Sequence, residues 1–209
     1  MTLVGTPTLF IDGEWCASSD GGRRPTYNPY DASVIMHVDE ATSNDARRAI
    51  AAAKAFFSSS DWSRRSYQDR CELLNRMADS LQKNKAELAR IETIDTGKTL
   101  GESEIDIDDV TNVFRFYAKE ALKLAEDKRV TGPLVPESVK SLVVHEPVGV
   151  CVLITPWNYP ILQLCWKLAP ALATGNVVIV KPSEVTPLST IYLVHMMLEA
   201  VSYTHLTLP

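Results

Sequence analysis

An α/β fold built on a parallel sheet is what this sequence predicts, from three observations. Two short apolar runs, residues 148–154 and 177–180, carry no charge, as expected of strands covered on both faces. Helix-length segments follow each of them, 159–173 and 187–200, so the order is β-α-β-α with right-handed crossovers. Upstream of these runs, from Ser66 to Ile91, the apolar spacing is helical.

Each element has a local reason. Residues 9–15, Leu-Phe-Ile-Asp-Gly-Glu-Trp, read as a β-hairpin, because Asp12-Gly13 tolerates the positive φ of a tight turn. A polar loop follows at 18–22. Residues 26–38 read as extended, with a turn at Asn28-Pro29. Thr42 offers an N-cap with Asp45 three positions on, and the alanine-rich stretch 44–57 is a helix. A second helix starts near Ser66. Leu73, Leu74, Met77, Leu81, Leu88 and Ile91 recur along it at helical spacing, with a break between Leu81 and Leu88. Asp95-Thr96-Gly97-Lys98 ends that helix. A third covers 101–124, with Ile105, Val113, Phe116 and Leu124 on its inner side. Pro133 and Pro136 mark a loop, 139–145 reads as a strand, and Pro147 with Gly149 turns the chain into the run at 148–154. Pro160 occupies the first turn of the next helix, and Gly175-Asn176 stops it. Residues 201–209 carry no charge and continue no pattern, and the strand due after the helix at 187–200 is missing from them.

The 209 residues form one large domain or parts of two, and 45% hydrophobic with 22% charged residues is ordinary for a globular protein. A net charge of −5 leaves no basic stripe for phosphates, so nucleic acid is not an expected partner. No apolar run is long enough to cross a bilayer, so no membrane partner is expected either. The start lacks a basic region followed by an apolar one, which predicts no secretion signal and a cytoplasmic protein. The four cysteines, Cys16, Cys71, Cys151 and Cys165, form no Cys-x-x-Cys pair, which fits reduced thiols rather than metal ligation or a disulfide framework.

Chemistry concentrates where the two apolar runs end. Ile154-Thr155-Pro156-Trp157-Asn158-Tyr159-Pro160 follows the first, and Lys181-Pro182-Ser183-Glu184 the second. Ligands of open parallel sheets bind outside the carboxyl ends of the strands. Two adjacent ends would therefore present an amide, an indole, an ammonium and a carboxylate to one crevice. A carboxylate beside a ribose accepts from both hydroxyls and repels a 2′-phosphate. Neither Gly-x-Gly-x-x-Gly nor the P-loop pattern is present, so spacing alone reaches only a nucleotide-like ligand in a strand-end crevice.

Residues 146–188, with Leu-Phe-Ile-Asp-Gly-Glu-Trp, Asn28-Pro29 and Asp95-Thr96-Gly97-Lys98, strongly resemble the aldehyde dehydrogenase superfamily over roughly 8–200, and within it the betaine-aldehyde dehydrogenases most. The resemblance implies an incomplete Rossmann-type parallel sheet with N-terminal helices and an oligomerisation hairpin near 139–145. Residues 1–200 would be part of an NAD-binding domain. Asn158 matches the amide of the oxyanion hole, where charge develops on the substrate oxygen; a helix N-cap is its plainer reading. Ile154, Thr155, Pro156 and Trp157 would line the cofactor, although core packing also accounts for Trp157. Lys181 and Glu184, with Ser183 beside them, match the residues that hold the adenosine ribose. Glu184 favours NAD over NADP, which stays possible. A solvated Lys/Glu pair is the bland alternative.

The same resemblance gives Lys167 a proton-relay role, against that of an ordinary helix-surface lysine. Tyr159 and Trp166, two helical turns apart, match aromatic residues that cradle a trimethylammonium group; most aromatic pairs at this spacing are core. Thr26, Asp95 and Val185 match oxygen ligands of a monovalent cation, while Asp95 could be a simple cap or turn residue.

The function implied is NAD-dependent oxidation of a small aldehyde, betaine aldehyde or a related amino or alkyl aldehyde, through a cysteine thiohemiacetal, in glycine betaine biosynthesis by a homodimer or homotetramer. The family's cysteine in Gly-Gln-x-Cys, its base in Glu-Leu-Gly-Gly and its Phe-Thr-Gly-Ser-like turn are not in these 209 residues. Cys151 and Cys165 read as core thiols. The sequence therefore predicts a fragment that is inactive alone and whose half-sheet leaves an apolar face open to aggregation. Residues 201–209 read as foreign sequence at a truncation. The competing reading is a non-catalytic module that binds NAD or pairs with other subunits.

Overall fold

The computed structural model describes residues 7–59, 62–124, 128–129, 138–139, 141–200 and 206–207. The chain opens with two antiparallel ribbons. The first pairs β1 (Leu9–Ile11) with β2 (Glu14–Cys16), and Asp12 and Gly13 both take positive φ, 56° and 81°, as the hairpin turn requires. The second pairs β3 (Arg23–Tyr27) with β4 (Val34–Asp39) around the Asn28-Pro29 turn.

Four helices follow. In α1 (Ser43–Ser59), Asp45 and Thr42 form the expected reciprocal cap: the Asp45 N–H donates to Thr42 Oγ1 at 3.2 Å and the Thr42 N–H to Asp45 Oδ2 at 2.9 Å. A 3₁₀ turn at Trp62–Arg64 leads to α2 (Tyr67–Lys83), capped by Ser66 and Asp69 in the same reciprocal way. The break predicted between Leu81 and Leu88 falls at Asn84, before α3 (Lys85–Thr96), which ends on Gly97 at φ 79°.

The last of the four, α4 (Leu100–Lys123), packs on α2 and α3, but its inner side is not the one expected. Ile107, Val110, Phe114, Ala118 and Ala121 are buried, whereas Ile105 and Phe116 are 60% and 55% exposed. Each of those two stands two positions from a buried residue, about 200° around a helix, and so on the opposite face.

A short antiparallel pair, β5 (Lys128–Arg129) with β6 (Leu142–Val143), is the described part of the hairpin expected near 139–145. Pro133 and Pro136 lie outside the described residues. The C-terminal third is the predicted β-α-β-α unit: β7 (Val150–Ile154), α5 (Pro160–Ala173), β8 (Val177–Lys181) and α6 (Leu188–Ala200), with β7 and β8 parallel and Ile154 in register with Lys181.

Two expectations fail here. Val177–Val180 of β8 is buried throughout, but β7 has one covered side only: Leu153 is 5% exposed against 55% for Val152 and 64% for Ile154. The difference comes from place in the sheet. α1 and α5 reach both strands, but β8 lies between two neighbours, while β7 is the outer strand of the order β7-β8-β9. The second failure is β9 (Leu206–Thr207) itself, which pairs in parallel with Val178 and Ile179 of β8 where no strand was expected. The free edge of β8 offers a row of backbone donors and acceptors that a short segment satisfies without any apolar pattern. Residues 201–205 and 208–209 lie outside the described residues.

The helical layer and the sheet are joined by hydrogen bonds at the strand entrances. Asn176, 4% exposed, accepts from the Gly149 N–H through Oδ1 at 2.9 Å and from Trp62 Nε1 through its carbonyl at 2.9 Å. Beside it Gly175, at φ 82°, lies against the Arg70 guanidinium so closely that a Cβ would stand 2.6 Å from Arg70 Cζ.

Candidate functional site at two strand ends

The parallel register brings Thr155–Tyr159 and Lys181–Glu184 to the same end of the sheet. The Thr155 N–H donates to the Lys181 carbonyl at 3.2 Å, extending the ladder by one bond. Thr186 Oγ1 donates to the Trp157 carbonyl at 3.0 Å and ties the two loops together beyond it.

Within the first loop, Thr155 is buried and Trp157 is 60% exposed, so plain core packing does not describe Trp157. Pro156 is exposed as well. Asn158 is exposed, and its side chain makes no hydrogen bond among the described residues. The N-cap of α5 is Tyr159, without a side-chain cap, so the N-cap reading of Asn158 is set aside. A free amide is left at the strand end.

In the second loop, Lys181 Nζ donates to Glu184 Oε2 at 3.2 Å, with both side chains about half exposed. Glu184 is held below the usual carboxylate range, first by its own backbone N–H and then by Lys181. Ser183 is buried and its Oγ accepts from the Val185 N–H at 3.2 Å. These residues border a cleft of about 510 Å³, whose other wall is the β3–β4 ribbon and the start of α1, with Arg24 and Glu40 paired on that wall.

The aromatic pair on α5 is not core: Tyr159 and Trp166 are 45% and 53% exposed. Lys167 Nζ donates to the Gln163 carbonyl at 3.2 Å, the arrangement of a lysine lying along its own helix.

Asp95 is both a cap and something more. Its Oδ2 accepts from the Leu188 N–H at 2.8 Å at the start of α6, while Oδ1 is buried without a partner. Burial, opposed by that N–H and aided by Glu92, pushes the Asp95 carboxyl up to about 8. Thr26 is buried on β3, Val185 is exposed, and the turn after Thr26 sets Pro29 against Gly97, where a Cβ would meet its Cγ at 2.7 Å. Among the described residues no three His, Cys, Asp or Glu side chains group as a metal site. The family-implied ion would therefore rest on one carboxylate and backbone oxygens, and the orphan Oδ1 fits such an ion.

One group was missed. Lys98 Nζ donates to Asp106 Oδ2 at 2.6 Å and to Glu92 Oε1 at 3.2 Å, and lies 4.4 Å from the centre of the Tyr159 ring. Burial alone would lower the Lys98 pKa, but Asp106 and Glu92 outweigh it and hold it above normal. The sequence carried a signal: Glu92 and Asp106 stand within the apolar stripes of their helices, next to Ile91 and Ile107, where a charge needs a partner.

The cysteines are all free. Cys165 is fully buried and its thiol is pushed well up by burial; Cys151, partly buried, is raised for the same reason.

A family model described as the aldehyde dehydrogenase family matches residues 15–204. The chain is 45% identical over 193 residues to betaine aldehyde dehydrogenase of Bacillus subtilis (strain 168), covering 92% of this chain and 39% of that protein. It is 40% identical over 195 residues to retinaldehyde dehydrogenase 3 of Mus musculus, covering 91% and 37%. Among solved structures, betaine aldehyde dehydrogenase from Staphylococcus aureus in complex with NAD⁺ superposes with a TM-score of 0.88 at 43% identity, over 96% of this chain and 40% of that one. The chain thus spans about two fifths of the length of these relatives. A match running from the first ribbon past the end of α6, on a superposable fold, makes this chain a member of the aldehyde dehydrogenase family.

Proposed function

We propose that this chain is the cofactor and oxyanion half of an NAD-dependent enzyme that oxidises a small aldehyde to its acid, betaine aldehyde or a related amino or alkyl aldehyde. One observation carries the reading: of two tied, adjacent strand ends, one presents a free amide at Asn158 and the other a Lys181–Glu184 pair that borders a cleft. Bound NAD⁺ would supply the hydride acceptor. Lys181 and Glu184, with Ser183, would hold the adenosine ribose, and the Glu184 carboxylate would repel a 2′-phosphate. Ile154, Thr155, Pro156 and Trp157 would line the rest of the cofactor. Asn158 Nδ2 would donate to the substrate oxygen as charge develops there. Tyr159 and Trp166 would face the substrate, and a monovalent cation would sit on Asp95 Oδ1 with oxygens of Thr26 and Val185.

The nucleophilic thiolate and the base are assigned to the part of the parent that this chain does not span. None of its four cysteines stands in the Gly-Gln-x-Cys context, and the raised thiols of Cys151 and Cys165 suit core packing. Exposed Val139, Leu142, Val143 and Val144 around β6 support subunit pairing; the parent would be a cytoplasmic homodimer or homotetramer.

The test is calorimetric titration of the folded chain with NAD⁺ and NADP⁺, beside an assay for NADH with betaine aldehyde. NAD⁺ should bind, Glu184→Gln and Lys181→Met should weaken it, and no NADH should form. A cooperatively folded chain that ignores NAD⁺ sinks the cofactor assignment, and NADH above the buffer level sinks the assignment of the nucleophile elsewhere.

A further inference from the structure

Tyr159 is held from beneath by a charge cluster that no strand-end residue supplies. Tyr159 follows Asn158 directly and is the N-cap of α5, at φ −136° and ψ 66°; its carbonyl accepts from the Gln163 N–H at 3.0 Å, which fixes the backbone and leaves the direction of the ring to its side-chain contacts. The ammonium 4.4 Å from its centre belongs to Lys98, on the connection between α3 and α4. That ammonium does not wander. Its side chain is 11% exposed, and Asp106 Oδ2 and Glu92 Oε1 hold it at 2.6 and 3.2 Å. Asp106 and Glu92 are themselves buried on two packed helices. A cation over an aromatic face is attracted by the ring quadrupole, more strongly where water is excluded.

We propose that Lys98 is the positioning residue for Tyr159: it occupies one face of the ring, sets its direction at the substrate side of the site, and leaves the other face to the cationic head of the aldehyde. This rests on the cationic-aldehyde reading above. A lone ammonium behind the ring would repel a second cation in front of it. Here two carboxylates face that ammonium, so its charge is offset and the front face stays attractive. Lys98 thereby acts on direction, and Asp106 on the sign of the field.

The experiment is NMR of the full 209-residue chain with labelled tyrosine rings and lysine side-chain methylenes, titrated with tetramethylammonium. In Lys98→Met the Tyr159 ring resonances should move, and Lys98→Arg should return them toward the wild-type positions. In Asp106→Asn the ring should stay, while tetramethylammonium binds several-fold more weakly. Tyr159 resonances that are the same in Lys98→Met and wild type overturn the proposal. Should Lys98→Met fail to fold, Tyr159→Leu decides, since this side chain is 45% exposed. The Lys98 methylene signals, shifted by the ring current in the wild type, should then relax to ordinary values, and their staying put overturns the contact. A wild-type chain whose Tyr159 signals ignore tetramethylammonium removes the cationic-aldehyde reading. The Lys98→Met and Lys98→Arg arms still decide the positioning role.

Discussion

β7 and β8 are neighbours of similar composition, and they live in different environments. Their registers align Val152 with Ile179 and Ile154 with Lys181. Yet in the first of these pairs Ile179 is 3% exposed and Val152 55%, while in the second both partners are exposed. An apolar run in a sequence states what a segment is able to bury. How much it buries depends on which elements reach both of its faces, and for β7 the described residues cover one. The same contrast divides the site: the Lys181 loop grows from a fully covered strand, the Asn158 loop from a half-covered one.

The contrast predicts a ranking. Ile179→Ala should have the largest effect, a loss of about 2–5 kcal/mol of unfolding free energy by urea denaturation, because it opens a cavity in a covered strand. Ile154→Ala should fall within about 0.5 kcal/mol, as for an exposed site. Equal losses at the two positions would mean that β7 is covered in solution, by self-association or otherwise.

The strand entrances sharpen the comparison. Gly175→Ala, before β8, meets both a left-handed φ and the Arg70 guanidinium, and should cost more than the roughly 1–2 kcal/mol of the backbone strain alone. Gly149→Ala, before β7, has φ 123° but only Phe57 Cε1 at 3.9 Å, and should show the strain without the clash. Thermal midpoints of the two variants in that order bear out the difference in packing.

A pH-dependent effect belongs to Asp95 at the start of α6. Its folded pKa of about 8 lies above the ordinary 3.8, so the folded chain binds the proton more tightly. In a buffer free of monovalent metal cations, its contribution to stability is fully present below 3.8 and is lost as pH rises through about 8. Asp95→Asn keeps an acceptor for the Leu188 N–H and should flatten that fall in the urea midpoint. An unchanged slope would show that Asp95 is ionised in the fold.

The elements were legible wherever a local signal set them. Asp12-Gly13, the Thr42 cap, Gly97 and Gly175 placed their turns and helix ends from chemistry confined to a few residues. The α4 face was misread because Ile105 and Phe116 are apolar without being on the packed stripe, and only the position of α2 decides which stripe packs. The strand-end motifs were visible as sequence. Their tie through Thr186 and the Lys98 clamp on Tyr159 join residues that are distant in the chain, and so needed the fold.

Trp62 and Asn176 are 114 residues apart and Asp95 and Leu188 are 93 apart, yet each pair is joined by a buried hydrogen bond. Such contacts reward the chain only after a long loop has closed, which slows folding more than it affects final stability. On a chain made from its N-terminus, α1 to α4 are complete long before Asn176 exists. Their apolar side must stay open through that interval, a window in which a chaperone that shields it would raise the yield of folded protein.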